Sequence, residues 1–201
     1  MTQATRLQHD HVALVTRAAE FAAQRHTGQH RKGAAQEPYV NHLAEVAWLL
    51  AETAQVSDAA LVAAGWLHDT LEKTKTTKEE LEAVFGSPLV GIVAEVTDDK
   101  SLPDDVAKRL QVETAGKRSE HAKLLTIADK TSNLRDVATS PPKDWSPARM
   151  AEYVRWTEAV VASCRGLNAD LERAFDMAAG AVRAAILVPD PHIDADFRDP
   201  Q

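Results

Sequence analysis

A histidine and an aspartate, His68 and Asp69, stand side by side at the end of the apolar run LVAAGWL. A helix that is apolar for two turns belongs in a core. A carboxylate carried there is costly unless a cation pairs with it, either a side chain or a metal ion. Imidazole nitrogen combined with carboxylate oxygen suits a divalent ion such as manganese, iron or zinc. Glu72 follows His68 by four residues, about one helical turn, and faces the same way. A carboxylate there could hold or deprotonate a water beside the ion. The plainer alternative is a hydrogen-bonded pair closing a helix end, and a lone His-Asp dipeptide does not decide between the two.

Two further segments add weight to the metal. In PYVNHLAEVA, His42 opens a helix directly after a basic loop, a position that can place it at the rim of a cleft. In LLTIADKTSNLRDV, Asp129 and Asn133 lie one turn apart on another mostly apolar helix. Asp129 by itself could be satisfied by Lys130 or Arg135. Three core helices that each deliver a ligand-capable side chain are harder to explain as separate accidents.

The elements that must position these residues are helical. Leu14, Ala18, Phe21 and Ala22 share one helical face, as do Leu43, Val46, Ala47 and Leu50. Alanine is abundant, and alternating runs of β-branched residues are nearly absent. Thr76 and Thr77 each precede a glutamate by three residues, a doubled capping-box pattern, and Ser87-Pro88 and Ser146-Pro147 offer a cap followed by proline. The pattern predicts helices at about 8–27, 41–54, 58–73, 78–85, 88–97, 104–115, 120–138, 147–164 and 168–187. This is an all-α chain, a bundle of about eight to ten helices in one domain over 1–188. The tail 189–201, with three prolines and four aspartates, is expected to be disordered.

Composition sets the outer limits. The 201 residues suffice for one real core, and a net charge of −7 gives no general footprint for nucleic acid or an anionic membrane. The single cysteine, Cys164, forbids an internal disulfide and reads as a small buried apolar residue. No basic-then-apolar leader and no membrane-length apolar stretch is present, so a cytoplasmic location is expected. His26, His30 and His121 read as surface histidines. Of Tyr153 and Trp156, the tryptophan is expected in the core and the tyrosine at a pocket rim.

The order of segments HTGQHRKG, PYVNH, LHDTLEKT, FG, EVTDDKSLP, KRLQ, ADKTSNLRD and YVRW resembles the HD-type hydrolase domain of RelA/SpoT homologues, most of all the free-standing small alarmone hydrolases. The resemblance spans Ala18 to Trp156. It implies an HD-domain bundle that removes the 3′-pyrophosphate of guanosine tetra- and pentaphosphate with manganese, one divalent ion per chain. It further implies metal ligands at His42, His68, Asp69 and Asp129, a catalytic Glu72 and a positioning Asn133. Arg31 and Lys32 match the family's basic loop beside the nucleotide, and Arg149 and Tyr153 match positions that help hold it. The partner so implied is a small purine nucleotide carrying a 3′-diphosphate.

One departure is plain. The family's segment reads His-Asp, two residues, then Glu-Asp, whereas here it reads Glu72-Lys73. If Glu72 alone manages the water, Lys73 is free to contact a substrate phosphate. Adenosine analogues of the alarmone, another nucleotide such as NADPH, and a non-hydrolytic binding module disabled by Lys73 stand as the competing readings.

Overall fold

A computed structural model describes residues 3–187, so the tail 189–201 lies outside the described residues. The chain runs through α1 (Gln3–Arg25), α2 (Tyr39–Trp48), α3 (Ala59–Leu67), α4 (Thr70–Lys73), α5 (Lys78–Phe85), α6 (Ser87–Val96), α7 (Asp104–Thr114), α8 (Glu120–Thr139), α9 (Pro147–Ala162) and α10 (Ala169–Leu187). A π-helical turn, Leu49–Thr53, follows α2, and a 3₁₀ turn, Ala115–Lys117, follows α7. The all-α expectation holds, with the helix ends shifted by a few residues and α1 starting earlier than its apolar stripe suggested.

Two helices form the centre. α3 packs against α1, α2, α6 and α8, and α8 packs against α10, α2, α6 and α9. α3 is enclosed by its neighbours, which is why it is apolar all round rather than striped. Several polar residues of α8 are buried too, and two of its threonine hydroxyls turn back onto the preceding turn. Thr126 and Thr131 each donate to the carbonyl four residues earlier, at 2.7 Å.

The expected continuous helix over 58–73 is in fact broken at His68-Asp69. In an unbroken helix the Gly65 carbonyl would accept from the Asp69 N–H. Here the His68 ring nitrogen Nδ1 bonds that carbonyl at 2.8 Å, Asp69 relaxes to φ −91° and ψ −5°, and α4 restarts at Thr70. The capping signals also resolve unevenly. Thr77 caps α5 by accepting from the Glu80 N–H at 3.2 Å and Ser146 caps α9, but Thr76 is buried and bonds Thr74, and α6 begins at Ser87 itself.

Gly65 is where α2 and α3 touch. A Cβ there would lie 3.1 Å from the Ala47 Cα and 3.1 Å from a Leu50 methyl, so only glycine lets the helices approach this closely. The approach brings His42 of α2 beside His68. Replacing Gly65 by valine should cost about 1–3 kcal/mol through overpacking, a fall of several degrees in Tm, and should weaken ion binding as well. Differential scanning calorimetry and metal titration check both; an unchanged Tm would show that the crossing is not tight.

Candidate metal centre

Four side chains from three regions converge. His42 comes from the first turn of α2, His68 from the end of α3, Asp69 from the break and Asp129 from the middle of α8. His42 Nε2 lies 3.2 Å from His68 Nε2, and His68 Nε2 lies 3.2 Å from Asp69 Oδ2. Asp129 Oδ1 lies 3.3 Å from the His42 nitrogen and 3.6 Å from that of His68, and Asp69 Oδ2 is 3.6 Å from His42 Nε2. An ion with ligands at about 2.1 Å holds adjacent donors about 3.0–3.4 Å apart, so this is the spacing of a coordination sphere. His42, His68 and Asp69 alone already form a group able to grip a metal, and Asp129 adds an oxygen that reaches both imidazoles.

The electrostatics agree. Two imidazole nitrogens ringed by two carboxylates are stable only with positive charge among them, carried by a proton or by a cation. Burial alone would push the His68 pKa down, but Asp69 and Asp129 raise it to about 10. Burial likewise opposes the charge of Asp69, yet the flanking histidines hold it well below the usual carboxylate range. Asp129 is held low in the same way by Lys130 and the histidines. With no ion bound, His68 therefore carries a proton at neutral pH that a metal must displace, so apparent affinity should rise with pH, up to ~tenfold per unit for each proton released. Calorimetry between pH 6 and pH 8, in buffers of different ionisation enthalpy, reads both the slope and the proton; an affinity flat with pH would refute it.

A ring of partners holds these four side chains. The Tyr39 hydroxyl donates to Asp69 Oδ2 at 2.6 Å, and the ring of His26 stacks on Tyr39 with centroids 5.2 Å apart. Asn133 donates from Nδ2 to Asp129 Oδ1 at 2.7 Å and accepts from Arg31 Nη2 at 2.7 Å, while Arg31 Nε donates to Asp136. The Lys130 ammonium lies 3.1 Å from Asp129 Oδ2 and 4.7 Å from the centre of the Trp156 ring.

Beside this cluster runs an open groove of about 940 Å³ between α7 and α9, walled by Trp145, Arg149, Tyr153, Trp156 and Lys108. Lys130, the partner of Asp129, lies over Trp156 of this wall, and Tyr153 feels the charges of Lys130, Asp129 and Arg31. Burial pushes its phenol up to about 12, so it remains a neutral donor. On the other side Glu72 accepts from the Lys73 ammonium. Burial opposes the charge on Lys73, but Glu72, Asp69 and Asp129 together raise its pKa above the ordinary lysine value.

Residues 18–157 match the HD domain family. The chain belongs to it. The guanosine-3′,5′-bis(diphosphate) 3′-pyrophosphohydrolase of Xenopus tropicalis is 46% identical over 164 residues, covering 82% of this chain and 92% of that protein. The human protein of the same name is 45% identical over 163 residues, covering 81% and 91%. The solved structure of a metazoan ortholog of SpoT that hydrolyzes ppGpp superposes with a TM-score of 0.80 at 41% identity, over 83% of this chain and 93% of that one. A divalent ion follows from the HD domain and its donor set together.

Several expectations about this HD domain need correcting. His26 is buried at 3% exposure, not a surface residue, because it backs Tyr39; His30 and His121 are exposed as expected. Of the basic-loop pair, Arg31 bonds Asp136 and Asn133, next to Asp129, whereas Lys32 is exposed. Trp156 is half-buried and shares the groove wall with Tyr153 instead of lying in the core, its indole N–H donating to the Lys108 carbonyl at 3.1 Å. Arg149 is exposed and packs over Trp145. Lys73 is bonded to Glu72 rather than free. Cys164 is fully buried, as expected. Sequence reasoning passed over Tyr39 as a site residue, although it stands in the same PYVNH segment as His42, and it passed over Asp136, although it closes the same ADKTSNLRD segment as Asp129 and Asn133. Among the described residues no helix is long and apolar enough to cross a membrane.

Proposed function

We propose that this HD domain hydrolyses the 3′-diphosphate of a guanosine alarmone such as ppGpp, releasing pyrophosphate and a nucleotide that keeps its 5′ phosphates, with manganese as the resident ion. The observation that carries this reading is a four-donor cluster of His42, His68, Asp69 and Asp129, linked through Lys130 to Trp156 in the wall of an aromatic groove that also carries Lys108 and Arg149. A divalent ion held there supplies Lewis-acid activation of water and of a phosphoryl oxygen. The chain's own residues do the rest. Glu72 takes the proton of the attacking water, Asn133 holds Asp129 and Arg31 in register, and Arg31, Lys32, Lys73 and Lys130 offset the substrate's negative charge. The local field thus binds a polyanion although the whole chain carries −7. Tyr153, Trp156 and Arg149 line the groove that receives the rest of the nucleotide. The small-molecule substrate and the lone cysteine fit a cytoplasmic enzyme.

Purified protein incubated with manganese and a panel of guanosine and adenosine 3′-diphosphates, with NADPH tested beside them, should yield pyrophosphate from the guanosine compounds. Orthophosphate as the only product would sink the reaction type, and faster turnover of the adenosine compounds would move the substrate. The Lys73–Glu72 bond favours one rival, a binding module whose base is neutralised.

A further inference from the structure

The two imidazoles of the metal centre are oriented by different means. For His68 the orienter is a backbone carbonyl, that of Gly65, which can only accept and so fixes the proton on Nδ1. For His42 it is a chain of side chains. His42 Nδ1 lies 2.8 Å from the Ser132 hydroxyl, and that hydroxyl donates to Glu45 Oε2 at 2.7 Å. The other oxygen, Glu45 Oε1, accepts from Arg135 Nη1 at 2.8 Å. His42 and Ser132 are buried, at 4% and 0% exposure, so water does not substitute for these partners.

Counting protons decides the direction. A serine hydroxyl has one proton and two lone pairs, and a carboxylate gripped by arginine accepts only. The Ser132 proton is therefore committed to Glu45, and toward His42 the hydroxyl can offer only a lone pair. His42 must donate from Nδ1, which leaves the lone pair of Nε2 aimed at His68, Asp69 and Asp129. We propose that Glu45 and Ser132 are positioning residues that lock His42 in the Nδ1–H tautomer and so make Nε2 a metal ligand. The relay spans two helices, with Glu45 one turn beyond His42 on α2 and Ser132 one turn beyond Asp129 on α8. A single bonded chain thus fixes two ligand-bearing helices against each other. It concerns the metal centre and is independent of which nucleotide is hydrolysed.

Ring ¹⁵N NMR of the zinc-loaded parent reports the His42 tautomer directly, and manganese titration of the ion-stripped protein reports affinity. In the parent, His42 should show a protonated Nδ1. Ser132→Ala removes the acceptor and should weaken manganese binding ~10–100-fold, the usual cost of losing an outer-shell partner of a ligating histidine. Glu45→Gln is the sharper variant, because its amide can donate to Ser132 and free the hydroxyl proton for His42 Nδ1. The ring then favours Nε2–H, which cannot bind metal, and affinity should fall at least as far. An unprotonated Nδ1 in the parent overturns the proposal. So does binding within ~3-fold of the parent in Glu45→Gln, with only Tm lowered, since a purely structural tie between α2 and α8 would behave that way. Should Ser132→Ala not fold, the parent spectrum and Glu45→Gln still decide.

Discussion

Asp129→Ala is expected to abolish detectable turnover and to weaken binding of the divalent ion at least ~100-fold, beyond what loss of an outer-shell partner costs. Asp129 is the donor that α8 contributes, 3.3 Å from His42 and 3.6 Å from His68, and without it the other three ligands leave one side of the ion open. The same carboxylate is the acceptor for Asn133 and the counter-ion of Lys130, which is 8% exposed. Removing it strands a buried ammonium, a change of the kind that costs about 3–5 kcal/mol. Part of the loss will therefore be stability, and Asp129→Asn separates the two effects. The amide keeps the side chain's volume and an oxygen for one neighbour while removing the negative ligand. Elemental analysis per chain, turnover and thermal unfolding of both variants give the answer. Full activity in either variant, or undiminished activity of the parent after exhaustive chelation, is incompatible with the metal reading.

The second large effect is expected at the Glu72-Lys73 pair. Glu72→Ala should lower kcat at least ~100-fold, the low end for a positioned acid–base group. Lys73→Asp should instead act mainly on KM, raising it for a polyanionic substrate while kcat falls much less. The two residues are adjacent on α4, about 100° apart round the helix, so they cannot present the same way to the ion. Their side chains nevertheless meet, with the ammonium bonded to the carboxylate. That contact makes the experiment discriminating. If substrate phosphate draws Lys73 away, Glu72 is released to manage the water as the nucleotide arrives. If the pair holds, the base stays neutralised and the parent is inert. Steady-state kinetics with saturating manganese distinguish these outcomes, and an inactive parent that gains activity as Lys73→Asp would replace the hydrolase with a nucleotide-binding module.

What the sequence by itself determined is the set of residues and the helices that carry them. The fold class follows from periodicity, because a residue's face on a helix depends only on its own position in the chain. The family follows from motif order, and with it the four residues proposed as ligands. His68-Asp69 was conspicuous without any structure, since a buried carboxylate after two apolar turns demands a cation. What only the tertiary structure decided is who stands beside whom. That α3 breaks at Asp69 depends on a side chain outcompeting a backbone N–H for the Gly65 carbonyl. That Arg31 is a bonded partner of Asn133 depends on a loop folding back across a separation of 102 residues, where Gly33 lies flush on Ser140. Tyr39, Glu45 and Ser132 were ordinary polar residues in the sequence; Glu45 and Ser132 became parts of the site because α2 packs against α8, and Tyr39 because α2 also packs against α3, which ends beside Asp69. Hydrogen bonds between distant segments leave no periodic trace, since each is set by the packing of two helices whose spacing in the chain says nothing about their spacing in the fold.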